Sequence, residues 1–170
     1  MTQTARNMPI WVFWMAGAPA SNNWAGSRKA FNHMSGFIVN IDVPDLNAAI
    51  DFYVEGLGFN YLRTLLGRSV AELGMAGTKV YLIEQPAGTR PVPSLNTLRS
   101  YTRHWTPIHI DIVVDDIAAA VDKALAAGAV RAGRQTTHPW GTLAPLADPF
   151  GHGICLVAFS KVGYDAVADK

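Results

Sequence analysis

The residue in this chain best placed to do chemistry is His109, in the run Ile108-His109-Ile110-Asp111-Ile112-Val113-Val114-Asp115-Asp116. The run is rich in β-branched residues and reads as a strand over Ile108 to Val114, so the period of two puts His109 and Asp111 on one face. An imidazole titrates closest to neutral pH of all side chains and is the commonest metal ligand. His109 is therefore the candidate for an acid–base role or a metal bond. Its ordinary alternative is a buried histidine satisfied by Asp111 or a backbone group. Cys155, between Ile154 and Leu156, reads as a small core residue. As a nucleophile it would need its pKa lowered by a neighbour such as His109. Trp140 could stack on a ligand or simply pack at a strand end. Arg99 and Arg103 could anchor an anionic ligand, although a solvated face is the commoner role for such residues. His33, His104 and His138 have no spacing that suggests a shared site, and His152 beside Gly151 reads as turn chemistry. The chain has no phosphate-binding Gly loop, no G-x-S-x-G and no C-x-x-C.

The elements that must position His109 occur twice. At one constant offset upstream the chain reads Phe37-Ile38-Val39-Asn40-Ile41-Asp42-Val43-Pro44-Asp45. This too is an apolar run that ends in an acidic N-cap. Leu46, Ala49, Ile50, Tyr53, Val54 and Leu57 then form one face of a helix, which Gly56 and Gly58 stop. Ile117, Ala120, Val121, Ala124 and Leu125 repeat that face after Asp116, and Gly128 ends the helix. Three short strands are expected after each helix. They fall near Phe59 to Leu65, Ser69 to Leu73 and Lys79 to Glu84 in the first copy. In the second they fall near Val130 to Gln135, Gly141 to Ala147 and Gly153 to Phe159. A repeat of this length implies two copies of one supersecondary unit that share a core. The fold class is α+β, with two βαβββ modules over 37–84 and 107–160. A Pro-containing linker, 85–106, joins them, and a short polar tail covers 161–170.

Composition narrows the function. Apolar residues make up 49% of the 170, enough for a core, and the net charge is +1 with no basic stripe. Nucleic acid and anionic membrane are therefore not the expected partners. A single cysteine rules out an internal disulfide framework and fits a reducing cytoplasm. No apolar run reaches the roughly 18–20 residues of a membrane span. Residues 1–36 differ from the rest, with Trp11, Phe13, Trp14 and Trp24 among Asn, Ser, Gly and Pro. They read as a disordered or loosely docked extension, or as the product of a start site set too early, with Met34 just ahead of the first strand. The minor alternative is a secretory signal over residues 1–20, from Arg6 through an apolar run to Ala18-Pro19-Ala20.

In their order and spacing, several motifs resemble the vicinal oxygen chelate superfamily, which includes glyoxalase I, the bleomycin-resistance proteins and the extradiol dioxygenases. In the first module they are Val43-Pro44-Asp45-Leu46, Phe52-Tyr53 and Leu57-Gly58-Phe59. In the second they are Val114-Asp115-Asp116-Ile117, Pro139-Trp140-Gly141-Thr142 and Asp148-Pro149-Phe150-Gly151-His152. The resemblance implies that each module's sheet curls into a half-barrel around a cavity, with the pairing often completed across a homodimer. It also implies four cavity positions that hold metal ligands in metal-using relatives. Carried over, they fall on Ile38 and His109 in the first strands and on Tyr81 and Cys155 in the last strands.

A catalytic divalent ion needs about three protein ligands and an open position. Ile38 cannot ligate, Tyr81 is an uncommon ligand and Cys155 suits softer metals. Only His109 is an ordinary ligand, and Asn40, Asp42 and Asp111 are the neighbours that could fill a site of shifted geometry. The expectation is a glyoxalase/bleomycin-resistance-type protein that binds a small aromatic or apolar molecule, with no cofactor and without a complete catalytic metal site. Ile38, Asn40, Asp42, Tyr81, His109, Asp111, Trp140 and Cys155 would line its cavity, and His109 would act as acid or base in any reaction. The alternatives are a metal-dependent lyase or dioxygenase with His109 as one ligand to a divalent metal, and a non-catalytic accessory module.

Overall fold

The computed structural model describes residues 38–104, 106 and 108–169, and the readings made for residues 1–36 lie outside them. The first module consists of β1 (Ile38–Val43), α1 (Leu46–Asp51), β2 (Asn60–Leu65), β3 (Val70–Met75) and β4 (Thr78–Glu84). The second consists of β5 (Ile110–Val113), α2 (Ile117–Ala126), β6 (Val130–Arg131), β7 (Thr136–His138), β8 (Gly141–Ala147) and β9 (Gly153–Phe159). The strand orders are β1-β4-β3-β2 and β5-β9-β8-β6, with β7 also on β8. In each module the last strand lies parallel to the first and the remaining pairs are antiparallel. A parallel pair needs a crossover connection, and the helix begins it.

The repeat survives into register. Asn40 faces Tyr81 across β1 and β4, and Asp111 faces Cys155 across β5 and β9. Both helices start as their caps dictate. The Asp45 carboxylate accepts from Ala48 N at 3.0 Å. The Asp116 carboxylate accepts from Ala118 N and Ala119 N, each at 3.0 Å.

Alternation then sorts the side chains. Ile41, Val43, Leu73, Leu82, Leu146 and Leu156 point inward and meet Leu46, Phe52, Tyr53 and Val121 in one cluster shared by both modules. Each such apolar side chain contributes about 1.5–3 kcal/mol when fully buried, so neither sheet could keep its face dry alone. The opposite face of each sheet carries the residues that could do chemistry.

Three elements differ from the sequence expectation. The strand expected from Ile108 begins at Ile110, because Ile108 is 80% exposed and its carbonyl accepts the Thr106 hydroxyl at 2.6 Å. The helix after Asp45 widens into a π-turn at Phe52–Gly56, where Phe59 N reaches the Tyr53 carbonyl at 3.0 Å. The strand expected over Val130 to Gln135 is cut to Val130–Arg131 in β6, and β7 (Thr136–His138) begins beyond its expected end. Pro145, in the middle of β8, ends β6. Its carbonyl still accepts from Ala132 N at 3.0 Å, but a proline has no N–H to return on that side, so the ladder breaks there.

Candidate functional site

The outer face of the second sheet brings together three groups able to ligate or transfer protons. His109 enters from the residue before β5, Asp111 from β5 and Cys155 from β9. Their ligating atoms all lie within 4.8 Å of one another. His109 Nε2 is 3.3 Å from Asp111 Oδ1, with both side chains substantially exposed. The Cys155 thiol is half-buried and its pKa is raised, first by burial and then by the charge and hydrogen bond of Asp111. With no ion bound Cys155 is therefore held as a thiol, and the depressed pKa that a nucleophile would need is not met. Beside these groups lies an open depression of about 170 Å³. Ala132, Pro145, Leu146 and Ile154 contribute apolar lining, while Arg103, Thr106 and His109 contribute polar groups.

By type, an imidazole, a carboxylate and a thiol are zinc ligands. Among the described residues they are the cluster that could hold a metal ion. The fit is incomplete on chemical grounds. Asp111 already faces His109 at 3.3 Å, Ile38 supplies no ligand from the first sheet, and the set is too soft for the hard-ion chemistry of dioxygenases.

The first sheet's outer face is occupied differently. Ile38, Asn40 and Asp42 share it with Tyr81, as alternation requires, but its charged residues are engaged in ion pairs. Asp42 accepts from Arg99 Nε at 2.7 Å, and Arg99 also donates to the Arg90 carbonyl at 2.8 Å. These bonds strap the linker to the edge of β1. Glu72, only 1% exposed, lies 2.7 Å from Lys79 Nζ and 2.6 Å from Arg63 Nε. Its carboxyl is pulled down to about 2 by the hydrogen bonds from Lys79 and Arg63. Tyr101 donates to the Gln85 carbonyl at 2.7 Å. Its hydroxyl is pushed up to about 12 by burial and then by Asp42.

Of the residues expected to share one cavity, His109, Asp111 and Cys155 are thus together on the second sheet. Ile38, Asn40, Asp42 and Tyr81 lie on the first sheet. Trp140 sits elsewhere, stacked on His138 with ring centroids 5.0 Å apart and near Tyr164 at 5.3 Å. That aromatic cluster is at the start of β8, away from Pro145.

One polar network escaped the sequence reading. Asp148, 3% exposed, accepts from Tyr53 Oη at 3.0 Å, from Phe150 N at 2.9 Å and from His152 N at 2.8 Å. His152 Nδ1 lies 2.7 Å from its second oxygen. The only signal in the sequence was the turn motif Asp148-Pro149-Phe150-Gly151-His152, which does not reveal that Tyr53 closes the network.

The sequence matches the family model described as a glyoxalase-like domain over residues 38–157. No curated protein matches. Among solved structures, the chain is similar to a glyoxalase-related enzyme from Fulvimarina pelagi, with 18% identity over 71% of this chain and 85% of that one and a TM-score of 0.56. It is similar to a glyoxalase/bleomycin resistance protein from Albidiferax ferrireducens T118, with 18% identity over 72% and 97% and a TM-score of 0.54. It is also similar to a variant of the fosfomycin resistance protein FosX from Listeria monocytogenes, solved with Mn(II), with 16% identity over 76% and 94% and a TM-score of 0.56. At these identities the structures speak for the fold. The family model covers most of the chain, and with the repeated βαβββ modules it shows that this protein belongs to the glyoxalase-like domain family of the vicinal oxygen chelate superfamily.

Proposed function

We propose that this protein binds a small aromatic or moderately apolar molecule on the outer face of its second sheet and works without a complete catalytic metal site. The observation that carries this reading is the asymmetry of the repeat. His109 has Ile38 as its counterpart, and the counterpart of Tyr81 is Cys155, held as a thiol. The apolar lining beside His109 suits a ring or a short hydrocarbon body. His109 is the group that would move a proton in any reaction there. In this reading the protein is a cytoplasmic homodimer. Nucleic acid and membrane are not its partners. An NMR titration with a panel of small aromatic compounds tests it. Saturable shifts at His109 and Cys155 are expected, and a panel that moves neither residue contradicts it.

One observation favours a second reading, a metal-dependent lyase or dioxygenase. The ligating atoms of His109, Asp111 and Cys155 already lie within 4.8 Å of one another. This reading requires that His109→Ala remove metal content and turnover together, and turnover that survives the substitution excludes it.

A further inference from the structure

The arginines of this chain differ in what occupies them. Arg63 lies 2.6 Å from Glu72 and Arg99 lies 2.7 Å from Asp42. Arg90 donates to the Leu95 carbonyl and the Asn96 side chain. Arg103, like Arg68, Arg131 and Arg134, has no carboxylate partner among the described residues, and of these four it is the one that lines the depression beside His109. It donates from Nη1 to the neighbouring His104 carbonyl, which uses one of the five N–H groups of a guanidinium.

The guanidinium of Arg103 is nonetheless placed. It lies on the backbone of Gly153, where a Cβ would come within 3.0 Å of Nη2 and 3.5 Å of Cζ. Gly153 pairs into β9 opposite Ala147, one step from Cys155 on the same face. The repeat puts Lys79 at the equivalent position of the first module, a side chain committed to Glu72 at 2.7 Å. In the second module the missing side chain makes room for a cation delivered from the linker. That cation borders the depression beside His109, which no carboxylate of the described residues lines. Asp111, the nearest acid on this face, is engaged by His109 and the Cys155 thiol.

We propose that the ligand of this site carries an oxyanion, a carboxylate or a phosphonate, on a small apolar body, and that Arg103 receives it from its seat on Gly153. A guanidinium fork matches either oxyanion through two parallel N–H bonds. The apolar lining from Ala132 and Pro145 takes the body. A volume of about 170 Å³ is close to the roughly 150 Å³ that holds one benzene ring, so a single ring with one anionic substituent is of the right size. The thiol of Cys155 and the imidazole of His109 would stand beside that ring. This inference rests on the proposed small-molecule function and names the class of its ligand.

The test compares benzoate and phenylphosphonate with the neutral benzamide by calorimetric titration of the full chain. The anions are expected to bind about tenfold tighter than benzamide, which is about 1.4 kcal/mol. The tighter of the two anions identifies the oxyanion. Arg103→Gln is expected to bring the ratio close to one. Gly153→Ala, which only has to displace the end of a flexible side chain, is expected to lower it as well. Equal affinity for anions and benzamide, or a ratio that Arg103→Gln leaves unchanged, overturns the assignment while leaving the small-molecule reading standing. If none of the three compounds binds, both fall.

Discussion

Tyr53 donates its hydroxyl to Asp148 over 3.0 Å, and both side chains are buried. The bond joins the helix of the first module to the turn before the last strand of the second, so the modules share a polar pin as well as an apolar core. Burial and the Asp148 charge push the Tyr53 hydroxyl well above its ordinary pKa, which keeps it a donor. Tyr53→Phe leaves the ring packing intact and removes one donor to a buried carboxylate. It is expected to cost about 1.5–3 kcal/mol in urea unfolding at pH 7. Asp148→Ala strands the Tyr53 hydroxyl and two backbone N–H groups, and is expected to cost more.

Gly56 is set by packing between the two helices. A Cβ at Gly56 would stand 2.6 Å from the Cβ of Ala127, a contact that cannot be relieved by rotating a side chain. Replacing a helical glycine with alanine normally gains about 0.5–1 kcal/mol. Here overpacking, at about 1–3 kcal/mol, outweighs that gain. Gly56→Ala is expected to lower stability in the same assay, and adding Ala127→Gly is expected to restore most of the loss.

Glu72 makes the first sheet sensitive to acid. Its folded pKa of about 2 is below its ordinary 4.5. The stabilisation is therefore fully present above about pH 4.5 and is lost as pH falls from 4.5 towards 2. Glu72→Gln is expected to melt at a lower temperature than the natural chain at pH 7. The gap should narrow across that acid window in thermal unfolding followed by circular dichroism.

The modules themselves were legible because their signals are local. Asp45 and Asp116 cap helices by bonds within three residues, and the alternation in Ile38–Val43 and Gly153–Phe159 sorts inward from outward positions without knowledge of the partner strand. What was not legible depends on distant partners. Nothing near Pro145 in the chain shows that its missing N–H faces β6 and β7. Nothing near Tyr53 shows that its hydroxyl meets Asp148, and nothing near Gly153 shows that Arg103 lies on it. At the candidate site, the grouping of His109 with Asp111 followed from the period of two. Cys155 joins them through strand order, while Trp140 lies just before β8 against His138 and Tyr164.

Cys155 offers a chemical check on that grouping. Its raised pKa predicts slow alkylation by iodoacetamide at pH 8 relative to an unstructured thiol. Asp111→Asn removes the second cause of the shift and leaves burial, the larger one. The rate is expected to rise but to stay below that of an unstructured thiol. An unchanged rate would separate Cys155 from Asp111.

A site with His109 on one sheet and Ile38 at its counterpart on the other is expected to work without a resident catalytic metal. Elemental analysis of the natural chain, purified without chelator, tests this most directly. The expected result is far less than one zinc, nickel, iron or manganese per chain. One such ion per chain, lost in His109→Ala, would contradict it.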